Sequence, residues 1–68
     1  MADITLLREK IDERGVKLGF VASKMGISRQ SLYRKLIGER QFSLNEAQSI
    51  CAVLGLEDAD RDRIFFTN

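Results

Sequence analysis

Apolar residues recur at helical spacing along nearly the whole chain, and no stretch alternates as a strand would. Ile4, Leu7 and Ile11 share one face, with Leu6 beside it. Asp3 stands where a cap is expected and Gly15 where a stop is expected, so a first helix is predicted over about residues 3 to 14. Val21, Ala22 and Met25 form the inner face of a second helix, about residues 17 to 25. Leu32 and Leu36 form that of a third, about residues 29 to 37, with Gly38 as its expected C′ residue. Ser43-Leu44-Asn45-Glu46 is a capping box, which gives the fourth helix the clearest start. Its buried stripe is read as Leu44, Ala47, Ile50, Cys51 and Leu54, and Gly55 is its stop. A shorter fifth helix, about residues 58 to 65, opens on acidic residues that suit the positive end of a helix dipole. The pattern predicts an all-α, compact five-helix bundle forming one domain over residues 1 to 68.

The densest signal is Val21 to Leu36, VASKMGISRQSLYRKL. Gly26 follows the last apolar residue of the second helix, and glycine takes positive φ without a Cβ clash, so it can turn the chain sharply. Ser28 is a good N-cap for the third helix, and Ile27 before it can staple onto Leu32. Ala22 is small, as two steeply crossing helices require where they touch. Arg29, Gln30, Tyr33 and Arg34 remain outward, with Ser31 and Lys35 at the margins. Two short helices, a glycine turn and a polar outer face make a helix-turn-helix over about residues 17 to 37, the unit that lays its second helix in the DNA major groove. Arginine can hold guanine O6 and N7 with two bonds, and glutamine can hold adenine N6 and N7. Arg29, Gln30 and Arg34 are therefore the candidate base readers.

Composition narrows the chemistry. The 68 residues are 44% hydrophobic and 31% charged, a globular balance. Net charge is only +1, yet residues 17–42 hold six bases and one acid, while the flanking segments are net acidic. The positive charge thus sits on the helix-turn-helix and the loop after it, as nucleic-acid binding requires. With no histidine and a single cysteine, zinc sites and histidine-based catalysis lack their ligands, and Cys51 is read as a small core residue. No metal, cofactor or small-molecule ligand is expected, and the chain is not read as an enzyme. No apolar run approaches the roughly 20 residues needed to span a bilayer. The first seven residues contain an acid and no apolar core, so no signal peptide is expected and the location is read as cytoplasmic.

The same residues resemble the lambda-repressor-like, Cro-type DNA-binding domains of phages and bacteria. Ala22-x-x-x-Gly26-Ile27-Ser28 followed by Leu32 and Leu36 carries the resemblance, and Gly38-Glu39-Arg40 resembles the loop after the recognition helix. It covers roughly residues 6 to 65. The resemblance implies a five-helix fold that binds a near-palindromic operator as a homodimer, with Arg29, Gln30 and Arg34 on base-reading positions. Lys17, Ser31, Tyr33, Lys35 and Arg40 are then candidates for the DNA backbone. Two positions depart from the family. Leu18 stands where a phosphate-binding Gln is frequent, leaving Lys17 as the substitute. Leu36 replaces a Glu that many members pair with an Arg of the first helix, so no such buried pair is expected.

Ile64, Phe65 and Phe66 are consecutive, and consecutive helical residues differ by about 100°, so they cannot share one core stripe. Either the helix ends before Phe66 and the chain folds back, or a ring stays on the surface. Phe20, also off its helix's core face, could meet that ring within one copy. Alternatively Phe65 or Phe66 is a dimer contact. The competing function is a small helical protein-interaction module, for which Tyr33 and Phe20 would be the anchors. Gly26 is expected at positive φ, where a β-branched residue is an outlier. Gly26→Val should cost about 1–3 kcal/mol and lower the melting temperature by several degrees. A thermal melt of that variant is the check, and an unchanged midpoint would mean a turn built in another way.

Overall fold

The computed structural model describes residues 2–66, and its elements are five helices: α1 (Ile4–Arg14), α2 (Leu18–Met25), α3 (Arg29–Leu36), α4 (Leu44–Leu54) and α5 (Asp58–Phe65). Its radius of gyration is 10.6 Å, close to the roughly 11 Å of a folded chain of this length.

Caps and glycines set the helix boundaries. Asp3, Ser28 and Ser43 each accept a hydrogen bond from the backbone N–H three residues on. At Ser43 the box is complete, because Glu46 Oε1 also accepts from the Ser43 N–H at 2.9 Å. Gly26 has φ of 76°. Its N–H donates to the Ser23 carbonyl at 3.2 Å, and the Ile27 N–H donates to Ala22 at 3.1 Å, so crossed bonds close α2. A Cβ at Gly26 would touch nothing within 4 Å, so the demand for glycine there is conformational and not a matter of space. The first turns of α1 and α2 begin one residue later than the sequence pattern suggests, since Asp3 and Lys17 are caps.

The core is one cluster drawn from all five helices: Leu7, Ile11, Val21, Ala22, Leu32, Leu36, Ile50, Leu54 and Ile64, with Ile27 and Phe42 among the residues packed on it. Burying a leucine or isoleucine contributes about 1.5–3 kcal/mol, so these few side chains carry most of the cohesion of a small domain. Polar ties between the helices add to the core. Arg14 Nε on α1 donates to the Leu54 carbonyl at 2.7 Å and satisfies the free end of α4. Lys10 pairs with Asp60 at 3.4 Å, and the Asp3 N–H donates to the Ile64 carbonyl at 2.7 Å, so α5 is fastened to α1 at both places. Cys51 lies in the core, where burial pushes its thiol up despite the nearby Arg61.

Several expectations need correction. Leu44 is 61% exposed and is not part of the buried stripe of α4. It is the first helical residue, at the margin of the arc shared by Ala47, Ile50, Cys51 and Leu54, and it lines an open groove instead. Among the described residues the one aromatic pair is Phe42 with Phe65, edge to face at 5.4 Å. Phe20 and Phe66 therefore do not meet. Phe20 lies exposed beneath the Lys24 ammonium, and Phe66 lies exposed beside the Arg61 guanidinium. Helix α5 does end before Phe66. A fold-back beyond it would fall at residues 67 and 68, outside the described residues.

Candidate nucleic-acid interface

Helix α3 is two turns long and starts cleanly from its serine cap, the Ser28 hydroxyl accepting from the Ser31 N–H at 3.0 Å. Leu32 and Leu36 are buried, and Arg29, Gln30, Tyr33 and Arg34 are exposed. Four exposed side chains at spacings of one, three and four residues occupy a continuous outward arc. They offer two guanidinium forks, an amide and a phenol, all able to donate. Ile37, at the end of the same arc, is also exposed and adds an apolar contact that the sequence pattern did not single out.

The neighbours of that arc differ in what they offer. Arg29 runs past α2, its Cδ 3.9 Å from where a Cβ on Gly19 would sit, so the glycine leaves the stem room. Lys17 is exposed at the start of α2 and makes no capping bond with its side chain. Tyr33 borders a small depression of about 150 Å³ shared with Arg8 and Asp12 of α1 and Leu18 of α2. Arg8 thereby joins the candidate surface, although the sequence pattern gave no reason to choose it. Ser31 is half-buried and its hydroxyl accepts from Ser28 at 2.9 Å, so it belongs as much to the cap as to the surface. Arg40 is exposed in the loop after α3.

Lys35 does not face outward with the others. Only 8% of it is accessible. Its ammonium lies 3.0 Å from Glu46 Oε1 and donates to the Gln41 carbonyl at 3.1 Å, with the Phe42 ring 5.8 Å away. Its place on the helix, three residues after Leu32 and one before Leu36, turns it toward the start of α4 and away from solvent. Lys35, expected at a phosphate, instead spends its ammonium on contacts inside the protein. Leu36 is part of the core, and an ion pair between Lys35 and Glu46 ties α3 to α4 beside it.

A second surface lies at the start of α4 and the end of α5. Ala2, Ile4, Phe42, Leu44, Phe65 and Phe66 line an apolar groove of about 400 Å³, with Arg40 on its rim. Phe65 is half-buried against Phe42, so Phe66 is the ring this groove leaves exposed.

A family profile described as a helix-turn-helix domain matches residues 5–64 of the chain. The chain belongs to that helix-turn-helix family. The match spans all but the outer edges of the described structure, and it agrees with the Cro-type resemblance of Val21 to Leu36. Comparison with curated proteins and with solved structures returns no match. In the helix-turn-helix, α2 and α3 are the paired helices and α3 is the one whose face is free, which is the arrangement of a DNA-binding regulator. Among the described residues no helix is long and apolar enough to cross a membrane.

Glu46 carries the electrostatics under this surface. The Ser43 N–H holds its carboxyl below the usual value of 4.5, and the Lys35 ammonium adds to this, against an opposing effect of burial. A carboxylate with a lowered pKa in the folded state stabilises the fold above its unfolded value, and that stabilisation is lost as pH falls through the folded pKa. The helix-turn-helix should therefore lose stability below pH 4.5 more steeply than Glu46→Gln does. Melting temperatures across pH 3 to 6 for both proteins are the measurement. Parallel curves would show that the carboxylate charge contributes nothing.

Proposed function

We propose that this chain is a sequence-specific DNA-binding repressor that occupies a near-palindromic operator as a homodimer, with α3 in the major groove. The observation that carries the proposal is the division of α3 into a buried arc and an exposed one that is rich in donors. Arg29, Gln30 and Arg34 read base edges. Lys17, Tyr33 and Arg40 hold phosphates, with Ser31 in a lesser part because of its bond to Ser28. The net positive charge of residues 17–42 supports this, because phosphate neutralisation supplies most of the affinity for DNA of any sequence. Occupying the operator then excludes the polymerase, and repression follows without further chemistry.

The apolar groove supports the dimer. Symmetric self-association through a small apolar patch is a means of holding two recognition helices about one DNA turn apart, roughly 34 Å. Phe66 is the anchor favoured for that contact, with Phe65 behind it as support. A second reading draws on the same surface: the groove, together with exposed Phe20, would suit a protein-interaction module that docks on a regulator or enzyme.

Selection of bound sites from a random duplex library tests DNA reading directly and would return the operator. Against the selected site, Arg34→Ala should cost about 1–3 kcal/mol and relax preference at one base pair. Arg40→Ala should weaken all sequences alike and flatten the salt dependence. Selection that enriches no sequence would favour the interaction module. For the dimer, Phe66→Ser should stay folded by circular dichroism while sedimentation shows weaker self-association and operator affinity falls with it. A folded variant with unchanged operator affinity would remove Phe66 from the interface.

A further inference from the structure

Among the described residues Lys35 is the charged residue that is buried, and it sits in the last turn of the helix proposed to read DNA. Its ammonium meets two parts of the molecule, the start of α4 and the loop after α3. The carboxylate of Glu46 lies at the start of α4, the Gln41 carbonyl lies in the loop that carries Arg40, and the Phe42 ring abuts Phe65 at the end of α5. Among the described residues no buried side-chain polar atom lacks a partner, so the arrangement is complete. Replacing a buried ion pair by apolar groups is often neutral for stability, so stability alone does not explain a lysine at this position.

Geometry offers an explanation. Two turns of helix held only by Leu32 and Leu36 are held along a single line, about which they can roll. With side chains a helix is about 10–12 Å across, so a roll of 10° about a line on its buried face moves the outward tips by about 2 Å. Hydrogen bonds to base edges tolerate a spread of only about 0.5 Å. Lys35 lies on the flank of that line and fastens α3 to α4 and to the loop, which opposes the roll. We propose that Lys35, with Glu46 as its partner, is a positioning residue for base recognition: it sets the rotation of α3 without touching DNA. This deepens the DNA-binding function proposed above and rests on it.

Fluorescence anisotropy with the selected duplex and a random duplex, over a series of salt concentrations, tests the role. The proteins compared are the wild type, Lys35→Met, Lys35→Arg and Glu46→Gln. Glutamine is accepted at the third position of a capping box, so Glu46→Gln keeps that cap and removes only the charge. It decides the matter if Lys35→Met fails to fold. Positioning predicts that Lys35→Met and Glu46→Gln lose about tenfold on the selected duplex, part of what one bidentate base contact supplies, and almost nothing on the random one. The salt slope stays at the wild-type value. Lys35→Arg, which can still donate to both oxygens, restores the selectivity. A salt slope lower in Lys35→Met by about 0.9 for each bound protomer, about 1.8 for the dimer, would make Lys35 a phosphate contact and overturn the proposal. Equal losses on both duplexes, or an unchanged ratio in both variants, would overturn it as well. A wild-type protein with no preference among duplexes is a separate result: it ends the DNA reading itself, and the positioning role with it.

Discussion

A recognition helix has to be gripped from one side only. Here that condition falls on a helix of two turns, too short to be stable alone, so α3 exists because the rest of the chain holds it. Leu32 and Leu36 supply the apolar grip, and the serine cap and the crossed bonds around Gly38 fix its two ends. Everything else in the domain can be understood as support for that grip. Val21 and Ala22 of α2 and Ile50 and Leu54 of α4 share its core, and Arg14 and Lys10 bind the outer helices to that frame by polar contacts. The outward arc is spared any structural duty and is left free to carry chemistry.

Local rules account for what could be read along the chain. Ser28, Ser43, Asp3 and the glycines act on residues within five positions of themselves, so their effects are visible in the linear order. The five helices and the exposed set Arg29, Gln30, Tyr33 and Arg34 follow from such rules together with helical period. Lys35 escaped because period treats every lysine as a surface residue. Its partner Glu46 was visible only as a capping residue, and their meeting depends on how α4 docks. Arg14 and Leu54 are 40 residues apart, and nothing near either signals the other. Leu44 misled in the opposite sense: the spacing was right, but the first residue of α4 stays exposed. Phe42, in an irregular segment, has no period to place it, yet it links Lys35 to α5.

Glu46 serves two masters, since the oxygen that accepts from the Ser43 backbone also faces the Lys35 ammonium. The start of α4 and the flank of α3 are thus fixed by one atom. A chain with so small a core gains definition this way, by making single polar groups answer for several contacts.

The hydrogen bond from the Asp3 N–H to the Ile64 carbonyl brings the two ends of the described chain side by side. Ala2, Ile4, Phe65 and Phe66 at those ends also border the apolar groove. Any peptide continuing from either end, whether natural or a laboratory fusion, therefore departs from the edge of this groove and not from the exposed face of α3. An affinity handle or fluorescent protein attached at either end would crowd this groove before it crowded the outward arc of α3. A short peptide joining the ends would permute the chain without crossing the recognition surface.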